Sequence, residues 1–96
     1  MFKSSTTIFF DYHENNKFET LATIRVAWSK EREMYEATLY SAPAKRIASA
    51  HFREWSNVLG FLSVIEALPK NDKSFVALVK IEMAERNVRV QGCKNE

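Results

Sequence analysis

The sequence is poor in residues that cross-link or break a chain. Its 96 residues include one cysteine, two glycines and two prolines. A single cysteine excludes an internal disulfide and a cysteine-based zinc cluster, and it suits a reducing cytoplasm. So little glycine and proline leaves no linker, repeat or low-complexity stretch. We therefore expect a single domain over residues 1–96, with a frayed polar tail at 91–96.

The sequence also lacks a strong charge of either sign and a long apolar run. Fourteen Lys and Arg against twelve Asp and Glu give a net charge of +2, too small a bias to predict nucleic-acid binding from charge alone. No apolar run approaches the ~20 residues of a membrane span. The first apolar stretch is interrupted at Asp11, so we expect no signal peptide and no membrane partner.

Alternation of apolar and polar residues dominates the first forty positions and predicts three strands, over 6–13, 18–28 and 34–41. Asn15 to Lys17 supply turn chemistry between the first two, and the charged segment 29–33 separates the second from the third. Short connections of this kind predict an antiparallel meander. The predicted core face carries Ile8, Phe10, Tyr12, Ala22, Ile24, Val26, Trp28, Tyr35, Ala37 and Leu39.

The second half predicts one main helix and one further strand. Apolar residues at steps of three and four indicate a helix over 49–68, capped by Ser49 and stopped by Pro69, with a start at Pro43 as the alternative. Residues 74–83 are apolar on both sides of the pattern, as in a buried central strand. Residues 84–90 fit either a helical turn or a continued strand. The expected fold is α+β, with the order β-β-β-α-β and the fourth strand in a mixed sheet.

One family resemblance follows from this order and from the acids in it. Asp11 lies in the first strand, the predicted helix ends in the letters IEAL, and Glu82 closes the predicted fourth strand. The arrangement resembles a truncated, degenerate ribonuclease H-like fold. The resemblance implies metal-dependent cleavage by clustered carboxylates, but the family's helix glutamate falls on Asn57, with Glu54 one turn earlier. Because this set is thinned, we expect no catalytic residues.

Other catalytic and ligand-binding patterns are missing from the sequence. No serine or cysteine stands in a recognisable nucleophilic arrangement, and no glycine-rich phosphate loop is present. Asp11 and His13 share one face of a strand, but we interpret them as a polar strand edge, because the only other histidine is His51. We expect no cofactor and no bound metal.

The expected function is therefore non-catalytic binding of a protein partner, as an inhibitor or adaptor of the kind that phages and mobile elements encode. Aromatic and basic residues are the side chains that such contacts favour. A single-stranded nucleic-acid-binding domain is the alternative, because aromatics beside basic residues also hold unpaired bases. Strand two or three could in addition pair with a second copy to form a homodimer. The predicted partner-binding residues are Phe9, Tyr40, Trp28, Arg25, Lys45, Arg46 and Arg53.

Overall fold

A computed structural model of the chain describes residues 7–13, 20–41 and 45–95, with side chains at all of these positions except 72–73 and 89–95. The predicted turn at 15–17 and the alternative helix start at Pro43 lie outside the described residues. The described elements are β1 (Thr7–His13), β2 (Thr20–Ser29), β3 (Met34–Ser41), β4 (Lys45–Phe52), α1 (Trp55–Ala67) and α2 (Asp72–Asn95).

The four strands form one sheet in the order β1-β2-β3-β4, and every neighbouring pair is antiparallel. The α+β class and the meander of the first three strands are confirmed. The fourth strand precedes the helices instead of following one, so the predicted mixed sheet is not confirmed. A meander with short connections needs no crossover, because each strand pairs with the strand before it in the chain.

The predicted helix over 49–68 is wrong at its beginning and right at its end. Residues 49–52 belong to β4, and α1 begins only at Trp55. Ser49 is therefore not its N-cap, which is Glu54. At the other end, Leu68 is extended (φ −73°, ψ 148°), as expected for the residue before a proline.

Lys70 completes the end of α1. Its ammonium donates to the carbonyl oxygens of Glu66, of Leu68 at 3.2 Å and of Ile65 at 3.5 Å. The last carbonyls of a helix have no partner within the helix, and they carry the negative end of its dipole. A lysine directly after Pro69 thus stabilises the C-terminus of α1.

Residues 74–83 are helical, and the strand predicted there is wrong. Phe75, Val79 and Met83 are buried at steps of four, which places them on one face of α2. Ile81 lies on the other side and is exposed. Residues 84–90 continue the helix, which extends to Asn95 through the predicted tail. A stretch of mixed apolar residues fits a strand and a buried helix equally well, and only the packing partner distinguishes them.

Both helices cover the same face of the sheet. The core contains most of the alternate residues predicted for β1, β2 and β3, joined by Ala50 and Phe52 of β4 and by buried residues of the helices. Two residues predicted for it are not part of it, because Ile8 on the outer strand β1 is 37% exposed and Trp28 near the end of β2 is only half-buried. The Phe52 and Phe61 rings lie 5.3 Å apart between centroids, and Tyr12 and Phe75 lie equally close. On α1 the buried row is Val58, Phe61 and Ile65, whereas Trp55 and Leu59 are exposed.

The two outer strands of the described sheet are β1 and β4, not the second and third strands predicted to pair with a second copy. Both β2 and β3 have neighbours on each side, so their backbone groups are already used within the sheet.

In the described part of the chain, neither helix has the length and apolarity that a membrane span requires.

Candidate interaction surface on the open face of the sheet

The face of the sheet opposite the helices is lined by the second set of alternating side chains, and we call it the open face. The strand pairing sets Phe9, Arg25, Thr38 and Ser49 in one row across it. Along each strand, the side chains two residues away belong to the same face. The open face comprises Thr7, Phe9, Asp11, His13, Thr23, Arg25, Ala27, Glu36, Thr38, Tyr40, Arg46, Ser49 and His51.

Three of these side chains form an aromatic–arginine cluster, made of Phe9, Arg25 and Tyr40. Phe9 is directly opposite Arg25, and Tyr40 is one step diagonally from Arg25 because its own partner on β2 is Thr23. Such diagonal neighbours are about 7–8 Å apart, within reach of long side chains. Phe9 is 61% exposed, while Arg25 and Tyr40 are half-buried.

Arg25 is the charged member of this cluster, and it makes no hydrogen bond or ion pair with any described residue. Thr38 beside it is only 2% exposed, although it is on the open face. The long side chains of Arg25, Glu36 and Tyr40 surround Thr38 in the register. The cluster therefore presents two rings and a guanidinium that has no partner among the described residues, and two of its members, Arg25 and Tyr40, neighbour the buried Thr38.

The neighbouring end of the open face holds a polar group made of Arg32, Glu36, Arg46 and His51. His51 Nε2 lies 3.2 Å from Glu36 Oε2 and 2.9 Å from Arg32 Nη1. The Arg46 guanidinium is 3.8 Å from the same Glu36 oxygen. Glu36 thus already interacts with His51 and Arg46 of this chain, and the charge of Arg46 is partly neutralised.

The other predicted partner-binding residues lie elsewhere. Trp28 is on the helix-covered face, half-buried, with its ring 4.8 Å from that of Tyr35. Lys45 is exposed at the start of β4, and Arg53 is exposed between β4 and α1. The structure thus brings Phe9, Arg25, Tyr40 and Arg46 onto the open face, and the first three of them form the cluster. The remaining three predicted residues lie outside this face. Trp28 was placed on the core face by its alternation, so the structure agrees with the pattern and not with the binding role.

The acids of the ribonuclease H-like resemblance occupy separate elements. Asp11 is on the open face, where its Oδ1 accepts the Thr23 hydroxyl at 2.7 Å. Glu82 is in α2 rather than at the end of a strand, and it pairs with Arg86 at 2.7 Å. Glu54 is the N-cap residue of α1. Within the residues that the structure describes, no three His, Cys, Asp or Glu side chains form a group able to hold a metal ion.

Comparison with protein-family models, with characterised proteins and with solved structures finds no match for this chain. The geometry of the open face and of the sheet edges therefore carries the functional argument.

One residue that contacts the β4 edge of the sheet was not predicted from the sequence to have a role there. Asn87 of α2 accepts the backbone N–H of His51 at 3.1 Å and donates to the carbonyl of Ser49 at 3.0 Å. These are two of the backbone groups that β4 would otherwise offer to a further strand. An asparagine in a helix gives no local indication of this role, because the strand it contacts is 36 to 38 residues away in the chain.

Proposed function

We propose that the protein is a small non-catalytic binding module that acts through contacts of its open face with a protein partner. An adaptor or an inhibitor, of the kind that phages and mobile elements encode, fits this mode of action. The observation that carries the proposal is the aromatic–arginine cluster of Phe9, Arg25 and Tyr40 on a face that the helices do not cover.

The composition of the cluster is that of an interface centre. Aromatic residues and arginine are enriched among the residues that dominate binding energy, because they bury a large area and also offer polar atoms. Arg25 has no anionic partner among the described residues. We infer that the partner protein presents a carboxylate to Arg25, flanked by apolar groups that pack on Phe9 and Tyr40.

The charges on the open face favour a protein over a nucleic acid. Binding of single strands needs a groove of positive charge that follows the phosphate backbone. Here Asp11 and Glu36 stand on the same face as Arg25, and Glu36 already interacts with Arg46. Mixed charges around an aromatic centre suit a protein surface that also has both signs.

The test is affinity capture from the source cell with four forms of the full chain as bait. Arg25→Ala and Tyr40→Ala alter the cluster, and Lys80→Ala, which removes an exposed charge on α2, is the control. Loss of a residue at the centre of an interface costs ~2 kcal/mol or more, about a thirtyfold loss of affinity. We expect a protein captured by wild type and Lys80→Ala, lost with Arg25→Ala and Tyr40→Ala, and retained after nuclease treatment of the lysate.

Two results would contradict the proposal. Equal capture by all four forms would mean that the open face is not the contact surface. Capture that disappears with nuclease, together with salt-sensitive binding of single-stranded DNA or RNA that Arg25→Ala weakens, would replace it by the nucleic-acid alternative.

We propose the cytoplasm as the site of action, because a single cysteine suits a reducing compartment.

A further inference from the structure

The two edges of the sheet are closed to different degrees. At β4, the Asn87 amide binds the N–H of His51 and the carbonyl oxygen of Ser49, two of the backbone groups that point out of the sheet. Among the described strands, β1 has a neighbour on one side only, which is β2. Two apolar side chains at this edge are also exposed, Phe9 at 61% and Ile8 at 37%. An uncovered edge with exposed apolar side chains is a template for pairing with another strand.

The strand pairing identifies which backbone groups β1 offers. In an antiparallel ladder, successive residues direct their N–H and C=O groups to opposite sides of the strand, and paired residues face each other or face apart together. Ser49 and His51 direct theirs away from β3, towards Asn87. Ala50, between them, therefore directs its backbone groups towards its partner Ala37 on β3. The same alternation makes Thr38–Arg25 and then Val26–Ile8 the pairs that face each other, so the backbone groups of Ile8 and Phe10 face β2. Thr7, Phe9 and Asp11 therefore direct their backbone groups out of the edge.

We propose that β1 pairs antiparallel with β1 of a second copy of this chain, about a two-fold axis at Phe9. In this register Phe9 is opposite Phe9 of the second copy, and Thr7 is opposite Asp11 of the second copy. All three outward-facing residues of each strand then form backbone hydrogen bonds across the axis. The inference shares Phe9 with the aromatic–arginine cluster, but it rests on the backbone groups of the β1 edge and not on the proposed function. Its test is the oligomeric state of the purified chain without any partner, so the two proposals can fail separately.

The side chains of β1 complement themselves in this register on both faces. On the open face the two Phe9 rings meet, and the Thr7 hydroxyl reaches the Asp11 carboxylate as the Thr23 hydroxyl does within the chain. On the helix-covered face, Ile8 is opposite Phe10 of the second copy. No like charges are opposed, and the register uses neither His13 nor the irregularity between Tyr12 and His13.

Neighbouring registers are worse on the same criteria. An axis at Phe10 sets Phe9 against Asp11, so an exposed ring meets a carboxylate, and its ladder extends into the irregularity before His13. An axis at Asp11 opposes two carboxylates, which is destabilising. Of these three axes, only the one at Phe9 sets the exposed Phe9 ring against another apolar side chain, and it joins the two open faces into one continuous surface.

Sedimentation of the full chain over a wide concentration range tests the pairing. We expect the wild type to dimerise reversibly, since a single strand pair gives an interface at or below about 1,200 Å², the lower end of specific interfaces. Phe9→Lys and Phe9→Glu each place two like charges across the axis, so each should weaken dimerisation about tenfold or more. An equimolar mixture of the two variants should recover association, because Lys and Glu are then opposed.

Ile81→Lys is the control, since Ile81 is similarly exposed but lies on α2; it should dimerise as the wild type does. Far-ultraviolet circular dichroism at low concentration should show that both Phe9 variants are folded. A wild type that is monomeric at every concentration would overturn the proposal. So would a dimer that Phe9→Lys leaves intact, or a mixture of the two Phe9 variants that does not associate.

Discussion

Removing the Asn87 side chain should destabilise the protein by opening the β4 edge. The amide makes two hydrogen bonds to the β4 backbone, to His51 N–H at 3.1 Å and to the Ser49 carbonyl at 3.0 Å. At ~1 kcal/mol of net stabilisation each, their loss in Asn87→Ala costs ~2 kcal/mol. Alanine is the better helix former by ~0.5 kcal/mol, which offsets part of that cost. The expected net loss is therefore ~1.5 kcal/mol in the free energy of unfolding.

Urea denaturation followed by circular dichroism measures this change. For a domain of this size, ~1.5 kcal/mol corresponds to a decrease of about 6–12 °C in Tm. The urea midpoint should fall while the slope of the transition stays the same, because the surface exposed on unfolding is nearly unchanged. Asn57→Ala is the control, since Asn57 is exposed on α1 and its side chain makes no hydrogen bond with described residues.

A second variant separates the two hydrogen bonds. Asn87→Asp keeps an oxygen that accepts the His51 N–H but places a second oxygen against the Ser49 carbonyl. It should be at least as unstable as Asn87→Ala, because two acceptors then face each other without a proton. If Asn87→Ala unfolds at the same urea concentration as Asn57→Ala, the two hydrogen bonds of the Asn87 amide do not stabilise the β4 edge.

Three further predictions concern the core and α1. The pKa of Tyr12 is raised to about 12, first by burial and second by the charge of Glu66. The folded state therefore holds this proton more tightly than the unfolded state. The contribution of Tyr12 to the free energy of unfolding should be fully present below pH ~10 and should fall by ~2–3 kcal/mol as the pH rises to ~12. Tyr12→Phe should remove this part of the alkaline loss in urea titrations at each pH, and an unchanged pH profile would contradict it. Phe61→Ala, at a site 1% exposed, should cost ~3–5 kcal/mol in urea unfolding, against a smaller loss for Phe61→Leu. Gly60→Ala should raise the free energy of unfolding by ~1 kcal/mol, because a Cβ there meets nothing within 4 Å and alanine is the better helix former; a lower Tm would mean that Gly60 is needed for packing.

The alternating pattern of β1 to β3 was sufficient to predict their two faces. Ile24 and Leu39 are buried, and Phe9 is exposed, as the period of two requires. The end of α1 was equally predictable, since Pro69 restricts the residue before it. These features are set by neighbours within a few residues, so a local pattern contains the information.

At residues 49–52, which belong to β4 and not to the predicted helix, the strand period of two overlaps with the helical spacing of three and four. Ala48, Ala50 and Phe52 alternate as in a strand, yet Phe52 also continues the helical spacing of the residues after it. Pairing with β3 decides the matter, because Phe52 is opposite Tyr35 in the ladder. No short window of the sequence contains that pairing partner.

The candidate interaction surface was predictable only in part. Phe9 and Tyr40 were assigned to the face opposite the core from alternation alone, and both lie there. Their proximity to Arg25 depends on the register between strands, which the turns and the core fix together. Trp28 shows the limit of residue type as a guide, since an aromatic suited to an interface packs against Tyr35 instead.

The sequence by itself determined the α+β class, the three-stranded meander and the inward and outward sides of its strands, because each follows from the spacing of apolar residues along a short segment. Only the tertiary structure decided that residues 74–83 form a helix, that Asn87 closes one edge of the sheet and that β1 remains at the other. Each of these depends on contacts between segments distant in the chain. The apolar spacing in 74–83 fits a strand as well as a buried helix, and a local pattern does not show which segment lies beside Asn87 or β1.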